Sequence, residues 1–200
     1  MNRRAQVFEK IYRENAWNGP PDSASGPGST LEATAELRER LPGLIELLGE
    51  RHGIERVLDA GCGDSLWTPE IPAAYVGVDI ASAAIERALE RHPERTYLLA
   101  DFCRDPLPFC DLVICRDALQ HLSLLDGLSA VNNFRRAGAR FLLATTTREI
   151  SNVDVETGGW YETNLSGEPF FLLEEGWAIP DGTWASGVRF PRKLLALFRL

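Results

Sequence analysis

The chain has 200 residues, of which 44% are hydrophobic and 25% charged, enough to bury a core and too apolar for a disordered or fibrous chain. Its 29 acidic against 21 basic side chains give a formal charge of -8, which argues against a nucleic-acid backbone as the main partner. No apolar run approaches the roughly 18 residues needed to cross a bilayer, and the charged start MNRRAQVFEK is unlike a signal peptide, so a cytoplasmic chain with no membrane partner is expected. Cys62, Cys103, Cys110 and Cys115 form no C-x-x-C pair, and too few histidines lie nearby for zinc; packed thiols and no metal are expected.

In chain order, residues 5–15 space Val7, Phe8, Ile11 and Tyr12 at helical intervals. The Gly-, Pro- and Ser-rich stretch from 15 to 29 breaks regular structure and reads as a linker or a lid. A second helix is expected from about Thr30 to Arg51, with Gly53 stopping it and Pro42 kinking or splitting it. Short apolar runs at 56–60, 75–79, 96–100, 111–115 and 140–146 then read as parallel strands, with helices at 82–92 and 123–137 between them. Pro69 and Pro72 leave the first crossover space for a turn or two of helix at most. Residues 148–190 show no clear period, and 191–200 reads as a final strand.

Three features fall at three consecutive strand ends. Gly61 and Gly63, in VLDAGCGDS (57–65), let the backbone turn sharply and approach a ligand at the carboxyl edge of the sheet. Asp79, followed by Ile80, ends the second strand, where a carboxylate can accept from both hydroxyls of a ribose. Asp101 and Phe102 follow the third strand, an acid and a ring suited to an adenine amino group and an adenine face. A pyrophosphate would want a third glycine and a helix N-terminus, yet Leu66 stands at the glycine position and Asp59 and Asp64 add negative charge there. A cationic, ribose-bearing ligand, S-adenosyl-L-methionine, fits this acidic rim better than NAD.

Over residues 55–147 the sequence resembles the class I S-adenosylmethionine-dependent methyltransferases. In that likeness DAGCG (59–63) corresponds to the glycine-rich first motif, Asp79 to the ribose acid, Asp101 to the adenine acid and DLVICRDALQHL (111–122) to the fourth motif. The resemblance implies a Rossmann-like, doubly wound α/β fold whose seven-stranded, mostly parallel sheet has an antiparallel last strand at 194–200, behind a helical N-terminal extension. It also implies cofactor contacts from Asp59 and from Arg116, the latter beside the methionine part. Ser65 stands where the family often has a third glycine. NAWNG, SASGPGS, LDAGCGDSLW, ICRDALQHLS and N-x-D-x-x-x-G-G-W-Y (152–161) together look like a group of small bacterial members with unassigned substrates. A single domain is expected, with N-terminal helices and a lid loop in 1–54, the cofactor core in 55–147 and an acceptor-side segment in 148–200.

His52 and His92 lie at helix ends, so by elimination His121 is the candidate base or acceptor-orienting group, or else it hydrogen-bonds its own loop. Asp117 holds an amine acceptor, orients His121, or pairs with Arg116 or Arg148. Trp17, Trp160, Tyr161, Trp177 and Trp184 lie outside the sheet core; Trp17 is expected at the cofactor and Trp160 and Tyr161 at the acceptor, with Ser29 a donor to the cofactor carboxylate. The acceptor implied is a small or medium-sized polar molecule methylated on oxygen or nitrogen; a peptide or protein acceptor, or a non-catalytic module of the same fold, are the alternatives. CRDA (115–118) lacks the Pro-Pro-aromatic turn of amino-methylating DNA enzymes.

Overall fold

The structure is a computed structural model that describes residues 2–21, 23–181 and 192–200. A seven-stranded sheet runs β1 (Arg56–Ala60), β2 (Ala74–Asp79), β3 (Thr96–Leu99), β4 (Leu112–Cys115), β5 (Phe141–Thr147), β6 (Leu173–Pro180) and β7 (Lys193–Arg199), in spatial order β3-β2-β1-β4-β5-β7-β6. The first five strands pair in parallel, and β7 lies antiparallel between β5 and β6. The chain order reverses beside β1, so β1 and β4 open a crevice at their carboxyl ends, where such sheets bind ligands.

Alternation along the strands sorts their side chains onto two faces. Leu58, Val113 and Leu142 pack on one side with α1 (Arg3–Glu14), α3 (Ser82–Arg91) and α4 (Leu124–Arg136). Val57, Leu112, Ile114 and Leu143 pack on the other with α2 (Ala35–His52), whose Leu37, Leu41, Leu44, Ile45 and Leu48 form its buried stripe. Burying each such leucine contributes about 2 kcal/mol.

Pro42 does not split α2, which is one helix starting at Ala35, with turns at 30–34 before it. The sequence placed six strands; the seventh, β6, lies in the stretch without period and carries Trp177, because an edge strand with one mixed face leaves no clean alternation. Residues 61–73 form only turns and bends, as the prolines imply. Trp184 lies outside the described residues. All four cysteines are buried and reduced. Among the described residues no helix is long and apolar enough to cross a membrane, and no cluster of acidic, histidine or cysteine side chains suits a metal.

The stretch 15–29 packs onto the sheet edge. Asn15 holds Gly19 with two side-chain hydrogen bonds of 2.9 Å, and Ala24 and Ser25 donate to Asp64 at 3.0 and 3.1 Å. Ser23, Ala24 and Ser29 are buried. The segment therefore covers the glycine loop.

Candidate active site

Two adjoining cavities lie at the carboxyl ends of β1, β2 and β4. The inner one spans about 650 Å³ of atom-free space, the solvent at its mouth included. Gly61 and Gly63 form its floor, both at positive φ (+79° and +58°); a side chain on Gly61 would meet Ala118 Cβ at 2.6 Å, and one on Gly63 would meet Ser25 Oγ at 2.5 Å. Only glycine gives both the turn and the clearance.

Asp79 is buried at the end of β2 and faces this cavity. Its Oδ2 accepts from the Gly63 amide at 3.0 Å and its Oδ1 from the Ala81 amide at 2.9 Å, so each oxygen keeps accepting capacity. Burial pushes its carboxyl up to about 6, against the lowering pull of those amides. Ile80 and Phe102 give apolar walls, and Trp17, Tyr12 and Phe8 close the cavity from the N-terminal side.

Asp101 also lines the cavity, but its Oδ2 takes Arg4 Nε (3.1 Å), Arg4 Nη2 (3.0 Å) and Asn2 Nδ2 (2.9 Å), and its Oδ1 takes the Cys103 amide at 3.0 Å. What accepting capacity remains is on Oδ1. Arg4, which the sequence did not single out, also pairs with Asp126 and so ties α1 to α4. Asp59 is not part of the lining: its Oδ2 accepts from Tyr75 Oη at 2.8 Å and Thr68 Oγ1 at 3.5 Å, behind the glycine loop. Burial pushes its carboxyl up to about 6 as well.

Arg116 is buried at the far end of the inner cavity, over the Trp67 ring at 4.9 Å. It donates to Gly28 O (2.7 Å), Asp181 Oδ1 (2.8 Å) and Ser29 Oγ (3.4 Å), while its Nε has no partner among the described residues. A buried cation with a spare donor beside a serine hydroxyl suits a carboxylate.

Asp117 stands between the two cavities, at φ +52°. Its amide donates to Thr145 Oγ1 at 2.9 Å, and its Oδ2 accepts from Lys193 Nζ at 2.8 Å. The Arg116 guanidinium is 3.3 Å away, whereas Arg148 pairs with Glu174 instead. Burial opposes its charge, but Lys193 and Arg116 outweigh burial and hold its carboxyl below the usual range. Asp117 stays ionised and is a charge partner, not a base. Lys193 went unread because β7 shows nothing in sequence but an apolar run after a lysine.

His121 lines both cavities from a 3-10 turn (Leu119–His121). Its ring stacks on Trp17 with centroids 4.6 Å apart, and Nδ1 lies 2.7 Å from the Gly159 carbonyl. A carbonyl only accepts, so the proton is assigned to Nδ1 and Nε2 is left as an acceptor. Burial pushes the imidazole below its usual range, against the raising effects of Gly159 and Asp117. The neutral form prevails at neutral pH.

The outer cavity spans about 1120 Å³ of atom-free space, the solvent at its mouth included, between the loop at 25–28, Trp17, Gln120, Gly158, Gly159, Trp160 and Lys193. Trp160 is 44% exposed at its rim. Tyr161 is buried away from both cavities, and its amide donates to Gln120 O at 3.1 Å. The N-x-D-x-x-x-G-G-W-Y stretch thus serves partly as scaffold: Asp154 accepts from the Leu124 amide at the start of α4 at 2.8 Å, and Gly158 donates to His121 O at 2.8 Å.

The sheet order, the glycine loop after β1 and the acid after β2 are those of the class I methyltransferase fold, whose cofactor is S-adenosylmethionine. Residues 58–141 match a family model described as "Methyltransferase domain". No curated protein matches. Solved structures share the fold at low identity. Magnesium protoporphyrin IX methyltransferase from Synechocystis, with bound cofactor, is 15% identical at a TM-score of 0.65, over 100% of this chain and 99% of that one. A phosphoethanolamine N-methyltransferase from Haemonchus contortus is 15% identical at 0.60, over 98% of this chain and 48% of that one. A TehB-like methyltransferase from Corynebacterium glutamicum is 18% identical at 0.53, over 98% and 97%.

Proposed function

We propose that the chain transfers a methyl group from S-adenosylmethionine to an oxygen or nitrogen of a small or medium-sized polar acceptor. The observation that carries this reading is His121, held neutral with Nδ1 fixed on a carbonyl, at the wall shared by the two cavities. The residues present fit the cofactor: the buried Asp79 carboxylate keeps accepting capacity for ribose hydroxyls, Ile80 and Phe102 flank the adenine, and Arg116 Nε with Ser29 Oγ receives the carboxylate. When bound, the cofactor supplies an electrophilic methyl carbon: the acceptor's lone pair forms the new bond, the carbon–sulfur pair returns to sulfur, and a neutral thioether remains.

The protein's share is alignment, exclusion of water and removal of the acceptor's proton by His121 Nε2. The stretch 15–29 and α1 cover the inner cavity, while the outer cavity stays open to an acceptor. Two of the similar structures are described by small-molecule acceptors, a porphyrin and a phosphoamine, which supports the size class. Calorimetric titration with S-adenosylhomocysteine tests the reading: micromolar binding that Asp79→Ala abolishes is expected, and absence of binding, or equal binding by the variant, overturns it.

A further inference from the structure

The acceptor cavity has two unlike sides. Trp17, Trp160 and His121 supply rings, and Asp117, Gln120 and Lys193 supply polar groups. Lys193 enters from β7, whose pairing with β5 aligns it opposite Thr147, and its side chain is only 7% exposed. Its ammonium has three donors. Asp117 Oδ2 takes one at 2.8 Å, and Asp181 Oδ2, which accepts no hydrogen bond from the described residues, lies at 3.5 Å, so at least one N–H is left without a partner among the described residues. That donor belongs to a residue lining the cavity shared with His121.

The charges around it balance. Arg116 and Lys193 face Asp117 and Asp181, a buried quartet with no net charge. A fixed anion would not be drawn there by net field, and a fixed cation would meet the lysine. A neutral group that becomes an anion only during reaction gains most: a hydroxyl can give its proton to His121 Nε2 while the spare Lys193 N–H receives the oxygen that turns negative. Hydroxyls acidic enough to yield to a neutral imidazole are phenols and enols, and flat rings of that kind match the aromatic side of the cavity.

Resting on the proposed methyl transfer, we infer that Lys193 is an acceptor-binding residue that selects a phenolic or enolic hydroxyl, the oxygen lodging between Lys193 Nζ and His121 Nε2. The oxygen's lone pair makes the carbon–oxygen bond, and the hydroxyl proton remains on His121 until solvent removes it.

The probe is 4-nitrophenol, whose phenolate is coloured, titrated at about pH 6, where the free phenol is mostly neutral. With S-adenosylhomocysteine bound, wild-type protein is expected to develop phenolate absorbance on saturation. Lys193→Met should lose it by at least about tenfold while still binding S-adenosylhomocysteine, and Lys193→Arg should restore part of it. The same phenolate absorbance in Lys193→Met, no binding of 4-nitrophenol by wild type, or no recovery in Lys193→Arg overturns the inference and leaves methyl transfer standing. Failure of wild type to bind S-adenosylhomocysteine overturns both.

Discussion

Asp79→Asn separates the proposed cofactor-binding role of this carboxylate from its structural one. In the wild type the charge is buried, and the rise of its carboxyl from 3.8 to about 6 means that ionisation costs the folded state about 3 kcal/mol at neutral pH. Asparagine removes that cost. It also turns an NH2 toward either the Gly63 or the Ala81 amide, which loses an acceptor at a cost of about 1–3 kcal/mol. The two effects nearly cancel, so the melting temperature at about pH 7.5 should move by only a few degrees. The unfolded chain ionises at 3.8 and the folded one at about 6, so the folded state holds more protons between those values. Wild-type stability therefore rises as pH falls from about 7 to 4, and the variant should lag behind it there. Binding behaves oppositely. Ribose hydroxyls donate to the ionised form, so wild-type affinity for S-adenosylhomocysteine should decline as pH drops through about 6. Loss of charge-assisted bonds in the variant costs about 2–3 kcal/mol, or about 30- to 150-fold in Kd, with a flattened pH response. Calorimetry at about pH 8 and pH 5.5, with thermal denaturation alongside, makes the comparison. An unchanged Kd at pH 8 would refute the assignment of Asp79 to the cofactor.

His121→Gln should bind S-adenosylhomocysteine within about twofold of wild type yet lose about 100- to 10,000-fold in kcat, read by transfer of labelled methyl to a phenol such as catechol. Gly63→Ala forces a non-glycine residue to φ +58° with its Cβ 2.5 Å from Ser25 Oγ and 2.7 Å from Tyr12 Oη; a loss of about 1–3 kcal/mol in urea denaturation is expected, with weaker cofactor binding. Arg116→Leu strips Asp181 of its 2.8 Å partner inside the protein and should destabilise it by about 3–5 kcal/mol, with partial recovery when Asp181→Asn is added.

The parts legible in the sequence are those whose cause is local. Short apolar runs separated by helical stretches gave the five parallel strands to within a residue or two, and the glycine pair and Asp79 are tied together in one hydrogen-bonded turn, as their positions at successive strand ends imply. Asp59 does not line the inner cavity, for a reason that strand geometry supplies. Side chains alternate across a strand, and the register that aims Leu58 at one layer cannot also bring Asp59 into the inner cavity; Tyr75 and Thr68 claim it instead. Tyr161 is buried outside both cavities, beside a Trp160 that does reach the outer one. Lys193, Asp181 and Arg4 were invisible because their partners Asp117, Arg116 and Asp101 lie 65 or more residues away in the chain, and no period or motif encodes such a meeting.

The short first crossover explains why so much of the N-terminal segment is committed to this edge. A helix there would ordinarily stiffen the glycine loop and offer it a partial positive charge. Residues 61–73 form no helix, and Asp64 takes over the stiffening: its carboxylate accepts from Ala24 N, Ser25 Oγ and Leu66 N at 3.0, 3.1 and 3.3 Å, and its carbonyl accepts from Arg91 Nε at 3.1 Å. Ser65, at φ +57° where a glycine would be relaxed, is fixed by Tyr97 Oη at 3.0 Å. The loop is thus fastened from two directions, by the N-terminal stretch and by residues from α3 and β3. The same bonds make the cover over the inner cavity depend on the floor of that cavity. Any change that loosens Asp64 should therefore disturb cofactor retention and the 15–29 cover together, through one shared set of hydrogen bonds.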